Sequence, residues 1–494
     1  MQKYFLELIV FICGAVVMIL ELVGSRVLAP FLGNSIFVWT SLIGVILGSL
    51  SLGYWWGGKA ADLKPNVKTF SLIIFFAALT TGLIALVKSP ILNTIYKSFD
   101  IRLGSVLACL ILFAPASIFL GMVSPYAVKL KMQSLDISGK TVGNLYAIST
   151  IGSIVGTFLT GFFLISLLGD TKIIIILAII LVATSILAWT GGLMKARIII
   201  ILLFLTFLII ANWQNKILVK QGKIEVDTQY NHVIIYDGKD YKTGRPTRYL
   251  TTGRLVLQSA MFLDQDNDLV FEYSKYYRLA EYFKPGFKNA LLIGGGAYSF
   301  PKDYLKRYKD SYLDVVEIDP QLTKLAEEYF GLKTNQHLNI YHQDGRIFLN
   351  RTTNKYDIIY LDAFKSYEIP HHLTTKEMVG KLYQALNERG AVLLNLISSI
   401  EGNKGKFLRA EYATYKTIFP QVYLLPVRDV NQSEESQNII LVALKSKEIP
   451  NWTSNNQEFN QYLKHLWRKD IPADLPILSD DYSPVDQYMM ELIM

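Results

Sequence analysis

Ala290-Leu-Leu-Ile-Gly-Gly-Gly296 is a short apolar run that ends in three glycines. An apolar run of that length bounded by glycine reads as a buried strand. The pattern repeats outward from it. Leu313-Asp-Val-Val-Glu317, Leu338-Asn-Ile-Tyr341, Tyr356-Asp-Ile-Ile-Tyr-Leu361 and Ala391-Val-Leu-Leu-Asn-Leu396 read as further strands, with more at 421–427 and 438–444. Helical periodicity occupies 269–283, 300–309 and 320–330. Strands alternating with helices predict an open, mostly parallel, doubly wound α/β sheet. Ligands of such sheets bind outside the carboxyl ends of the strands.

That rule selects the candidate site residues. Gly294, Gly295 and Gly296 close the first strand, where the absence of a Cβ lets a ligand approach the backbone. Glu317 closes the second and can accept both hydroxyls of a ribose. Asp344 and Gly345 follow the third, and Asp344 can accept from an adenine amino group. Asp362 closes the fourth and faces the same crevice. Gly294-Gly-Gly-Ala-Tyr-Ser299 does not have the GxGxxG spacing, and no P-loop is present. A nucleoside without a phosphate chain is the expected ligand, which points to S-adenosyl sulfonium compounds.

Upstream, 217–236 reads as β, with turn signals at Asp237-Gly238 and Thr252-Gly253. This predicts a small antiparallel module. Before it the composition changes. The 494 residues are 51% hydrophobic and 18% charged, with net charge +8. Residues 1–213 hold 14 Lys and Arg against 6 Asp and Glu, so the whole excess lies in the apolar half. A nucleic-acid protein would carry it on the soluble part, so nucleic acid is set aside as a partner. Seven stretches approach the ~20 apolar residues that cross a ~30 Å hydrocarbon core: 5–25, 36–57, 69–88, 103–127, 144–168, 171–190 and 197–213. Gly44/Gly48 and Gly152/Gly156 have the spacing of close helix packing. Glu21 and Arg26 suggest an ion pair or a polar pocket, and Pro115 and Pro125 a kink. Cys13 and Cys109 both lie in apolar runs, so no disulfide framework or cysteine-held zinc is expected.

The residues together resemble the spermidine synthase (polyamine aminopropyltransferase) family, in the subgroup fused to an N-terminal membrane domain. The resemblance rests on Glu21-Leu-Val-Gly-Ser-Arg-Val-Leu-Ala-Pro30 and Gly53-Tyr-Trp-Trp-Gly-Gly-Lys-Ala-Ala-Asp62 in the apolar half. In the other half it rests on Gly294–Pro301, Val316-Glu-Ile-Asp319, Asp344-Gly-Arg346, Leu361-Asp-Ala-Phe364, Ile369–Thr375 and Ser479–Pro484. It implies a transmembrane helical domain over 1–213, a β module over 214–265 and a Rossmann-like transferase domain over 266–494. It also implies a cleft that binds decarboxylated S-adenosylmethionine and moves its aminopropyl group to an amine. On that pattern the three glycines pass under the nucleoside, and Glu317, Asp344 and Gly345 hold it. Asp362 orients the attacking amine and takes its proton. Tyr230, Gln258, Tyr273, Tyr298 and Lys365 line the substrate cleft.

The chain departs from the family at several acids. The glycine run continues Ala297-Tyr298 instead of Asp-Gly. Lys365 stands where a second acid is expected, Asn231 where a glutamine is, and Ser274-Lys275 where a His-Glu pair is. A dication needs carboxylates, so methyl transfer from S-adenosylmethionine is the alternative to aminopropyl transfer. A transporter with an adenosyl-sensing domain is a second. No metal is expected at His371-His372 or Asp480-Asp481. The expected partners are a small-molecule amine, the lipid bilayer and a second copy in a homodimer. Basic loop residues divide almost evenly between the two sides of the spans. Because sulfonium co-substrates are made in the cytoplasm, the soluble domain is expected on that side of the cell membrane.

Overall fold

The computed structural model describes all residues except 1–3, 34, 133–137, 190, 192–193, 221–222, 254–255, 265–267, 365–368 and 494; the side chains of 166, 208, 210–220, 256 and 493 also lie outside the description. The chain divides into two compact units, Met1–His232 and Val233–Met494.

The first unit is helical: Phe5–Leu32 (α1), Ile36–Leu63 (α2), Val67–Ser98 (α3), Ile101–Leu112 (α4), Ala114–Lys131 (α5) and Ser138–Leu159 (α6), then Asp170–Ala188 and Met194–Lys220. Among the described residues five helices are long and apolar enough to cross a membrane, or six if α4 and α5 count as one bent span. That is fewer than the seven expected. Two expected stretches, 103–127 and part of 197–213, explain the difference. The first is broken by 53° at Phe113, where Pro115 starts the second segment and cannot donate to the preceding turn. The second falls on Met194–Lys220, whose later side chains lie outside the described residues. Residues 217–219, expected as strand, are the end of that helix.

Glycines set the closest approaches in this unit. A Cβ on Gly152 would lie 2.1 Å from the Phe11 carbonyl oxygen, and one on Gly156 2.5 Å from that of Ala15, so α6 lies against the backbone of α1. Gly53 and Gly121 do the same for α2 and α5, where a Cβ would come within 2.3 Å of Ile118 O and 2.7 Å of Leu50 O. Gly44 and Gly48 have nothing within 4 Å. The first of the two expected packing pairs therefore points away from the bundle. Ion pairs tie helix ends together: Lys88–Asp170 at 2.6 Å, Lys129–Asp62 at 2.7 Å and Lys131–Glu7. Arg26 Nη1 donates to Thr228 O at 3.3 Å.

Lys223–Asp227 (β1) follows, then His232–Lys239 (β2), Pro246–Thr252 (β3) and Val256–Phe262 (β4), of which β2, β3 and β4 pair as antiparallel neighbours. The turn expected at Asp237-Gly238 is not there. Asp237 pairs across the sheet with Arg248 at 2.7 Å, and Gly238 pairs with Thr247. The chain reverses at 240–245 instead. Asp240 Oδ2 accepts from Thr243 N at 2.8 Å, and Gly244 adopts φ +69°. An Asx-type turn closed by glycine outcompetes the Asp-Gly dipeptide.

The large sheet contains Asn289–Ile293 (β5), Tyr312–Val316 (β6), Leu338–Tyr341 (β7), Tyr356–Leu361 (β8), Leu386–Ser398 (β9), Gln421–Pro426 (β10) and Gln437–Leu444 (β11). Their order is β10-β11-β9-β8-β5-β6-β7. β5 through β9 are parallel, while β11 and β10 join antiparallel, so the sheet is mixed. Leu291, Ile359, Val392, Leu394, Ile439 and Leu441 are fully buried along it. β6 and β7 extend to one side of β5, and β8 and β9 to the other. The order of winding therefore reverses between β5 and β8, and a crevice opens at their carboxyl ends.

Candidate active site

The crevice is built from the ends of β5 and β8. Gly294 N donates to Val316 O at 2.9 Å, and Asp362 N donates to Ile293 O at 2.9 Å. These bonds carry the parallel ladder one residue past the strands. Gly294 has φ +98°, and a Cβ there would lie 2.4 Å from the Asp362 carbonyl oxygen. Only glycine fits both constraints. The two loops thus run side by side, and Gly294, Gly295, Gly296 and Asp362 line one cavity with Gln258, Tyr273 and Phe271.

Asp362 is partly buried, and burial raises its carboxyl above the usual carboxylate range. Three side chains oppose that rise. Asn395 Nδ2 donates to Oδ1 at 3.1 Å, and Tyr273 Oη donates to Oδ2 at 3.2 Å. The Tyr277 hydroxyl also faces the carboxylate without reaching hydrogen-bond geometry. Burial and the neighbouring Asp362 push the Tyr273 phenol well above its ordinary value, so it stays a neutral donor.

Glu317 is buried, and both of its oxygens bind backbone. Oε2 accepts from Gly295 N at 2.8 Å and Gly296 N at 3.1 Å, and Oε1 accepts from Asp319 N at 2.9 Å. Burial raises its carboxyl, and these three N–H groups pull the other way. Each oxygen of a carboxylate has two lone-pair sites, so the clamp on the loop does not use them all. Asp344 caps the helix Gly345–Arg351, with Oδ1 accepting from Arg346 N at 2.9 Å and Ile347 N at 3.0 Å. Its Oδ2 lies 2.9 Å from His372 Nε2, and that bond is the largest cause holding the Asp344 carboxyl below its usual range. Gly345 packs on β5, where a Cβ would lie 2.5 Å from Ile293 Cγ2.

Separate sequence motifs meet here. Arg346 Nη1 donates to His372 O at 2.8 Å, Thr375 Oγ1 at 2.9 Å and Asp480 Oδ1 at 2.7 Å. The acidic, dihistidine and C-terminal motifs are one hydrogen-bonded network behind Asp344.

The cleft residues divide. Tyr273 and Gln258 line the cavity. Tyr298 does not. It is fully buried, and its hydroxyl lies 2.7 Å from Thr323 Oγ1 beneath the glycine loop. Its φ is +57°, a conformation tolerated because the ring and the hydroxyl are both held. Tyr230 lies in the first unit. Lys365 lies outside the described residues. Lys275, which stands where the family has the glutamate of its His-Glu pair, is 3.4 Å from both Asp268 and Glu272. Two functional residues were missed. Ser259 Oγ accepts from Ala297 N at 2.9 Å and fixes the far end of the glycine loop. Asn395 is an amide inside an apolar strand, and that contrast was the available signal.

An open glycine edge thus lies beside a hydrogen-bonded carboxylate at the switch point of a doubly wound sheet. The sequence profile of the spermine/spermidine synthase domain matches residues 272–443. The polyamine aminopropyltransferase of Vibrio vulnificus is 27% identical over 238 residues, 47% of this chain and 75% of that protein. The Clostridium beijerinckii polyamine aminopropyltransferase is 22% identical over 197 residues, 39% of this chain and 66% of that one. Among solved structures, a probable spermidine synthase from Corynebacterium glutamicum superimposes with TM-score 0.43 and 21% identity, covering 51% of this chain and 94% of its own. Residues 272–443 are therefore similar to the spermine/spermidine synthase domain, whose relatives are transferases, and the helical unit precedes that match.

Proposed function

We propose that the protein is a membrane-integrated aminopropyltransferase that uses decarboxylated S-adenosylmethionine and an amine acceptor. The observation that carries the reading is Asp362, a carboxylate held by Tyr273 and Asn395 at the edge of the glycine loop. The sulfonium co-substrate supplies an electrophilic carbon and a neutral thioether leaving group. The glycine edge with Glu317, Asp344 and Gly345 would hold its nucleoside. In line with the C–S bond, the amine lone pair forms the new C–N bond as the C–S pair leaves with sulfur. Before that attack Asp362 orients the protonated acceptor and takes one proton from it, and the product leaves as the secondary ammonium. An amine is protonated at neutral pH, so a positioned base is needed to free its lone pair. Fixing both partners in line supplies much of the remaining acceleration.

The apolar helices of the first unit support a multi-pass anchorage in the cell membrane, with the transferase domain on the cytoplasmic side where its co-substrate is made. The cavity supports an acceptor that presents one amine to Asp362, the one acid lining it among the described residues. The same observation keeps methyl transfer as the second reading.

The test uses full-length protein in detergent with either sulfonium and a panel of mono- and diamines. Amine-dependent release of methylthioadenosine from the decarboxylated compound is expected. Asp362→Asn should lower it by about 10²–10⁴-fold while nucleoside binding persists. Release of S-adenosylhomocysteine from ordinary S-adenosylmethionine would replace this reading with methyl transfer.

A further inference from the structure

Asn395 lies within the run Ala391–Leu396 of β9 and is 5% exposed. A buried primary amide must find partners for both its ends. Its carbonyl accepts from Asn438 Nδ2 at 3.0 Å, and its Nδ2 donates to Asp362 Oδ1 at 3.1 Å. Asn438 is on β11. Antiparallel register places Ile440 opposite Asn395, so Asn438 is two residues along on the same face.

The two ends of an amide are chemically opposite, one acceptor and one donor. Because Asn438 occupies the acceptor end, Asn395 presents its NH₂ to Asp362. An NH₂ group cannot take a hydrogen bond from a protonated carboxyl. Oδ1 is thereby kept as an acceptor. Oδ2 meets the Tyr273 hydroxyl, which can rotate to donate or to accept.

We propose that Asn395, oriented by Asn438, is a positioning residue that reserves Oδ1 of Asp362 and assigns proton uptake to Oδ2. This rests on the reading of Asp362 as the base and adds which atom acts and what fixes it. The groups facing Asp362 are Tyr273 and Tyr277 from the segment 272–279, Asn395 from β9, and the backbone of Gly294 after β5. Among the described residues no charged side chain is bonded to it. Asn395 heads the causes that oppose its burial.

The experiment uses full-length protein in detergent and two variants, Asn395→Leu and Asn438→Ala. The second never touches Asp362. The carboxyl infrared band of Asp362, identified by its loss in Asp362→Asn, is titrated in each. Both variants are expected to move that titration to higher pH, Asn395→Leu further than Asn438→Ala. The acid limb of amine-dependent turnover should move the same way. At neutral pH kcat should fall about tenfold, with KM for the amine little changed. A folded Asn438→Ala protein with the band and pH profile of the parent would overturn the relay. If the band moves but no amine is ever alkylated, the relay stands and the assignment of chemistry falls. If alkylation occurs and the band stays put, the relay falls and the chemistry stands.

Discussion

His372 Nε2 and Asp344 Oδ2 lie 2.9 Å apart, although 28 positions separate them in the chain. The imidazole is the main reason the Asp344 carboxyl stays below its usual range. If Asp344 accepts from a nucleoside amino group, as proposed, its carboxyl must be ionised. Binding should then be lost as pH falls and Asp344 takes a proton, and His372 should delay that loss. His372→Ala should therefore lose methylthioadenosine at a higher pH than the parent does, with similar affinity near neutrality. Calorimetry on the full-length protein between pH 4 and 8 reads the two curves. Superimposable curves would remove Asp344 from nucleoside recognition.

Lys302 contacts Met261 Sδ at 3.0 Å and the Phe330 carbonyl oxygen. Burial pushes its ammonium down to about 8. An unfolded lysine keeps its proton to about pH 10.4. Below pH 8 folding carries the full cost of burying the charge. Between those values the unfolded state binds the extra proton, so stability rises with pH. Lys302→Met should raise stability at pH 7 by on the order of 2 kcal/mol and flatten the curve from pH 8 to 10. Urea midpoints across that range test it, and a variant as pH-sensitive as the parent would refute it.

Gly44 and Gly152 make a matched pair of tests. A Cβ on Gly44 meets nothing within 4 Å, whereas one on Gly152 meets the Phe11 carbonyl oxygen at 2.1 Å. Gly44→Ala should stabilise the helix by up to about 1 kcal/mol from propensity alone. Gly152→Ala must push α6 off α1 and should lower the melting temperature in detergent. Equal effects at the two positions would contradict the packing described.

The sheet was legible because its strands are short apolar runs closed by glycine or acid. Leu338–Tyr341 and Tyr356–Leu361 match the expected bounds, and β5 and β6 differ from them by a residue. The residues at their carboxyl ends followed from topology alone. What sequence could not rank was competition between turns, so Asp237-Gly238 lost to Asp240–Gly244. It could not tell which face of α2 Gly44 takes, since glycine spacing is the same inside and out. Tyr298 sat beside the glycines in sequence, but its left-handed backbone turns the ring beneath them. Asn395 finds its partners 33 and 43 positions away, beyond the reach of any local pattern.

Glu317 clamps Gly295 and Gly296 from below while Ser259 holds Ala297 from the other side. A loop fixed at three successive amides before any ligand arrives has little disorder left to lose. Nucleoside capture should then be kinetically simple, a single concentration-dependent phase without a slower rearrangement behind it. Removing the clamp by Glu317→Ala would show itself first as a second, slow phase in the approach to equilibrium.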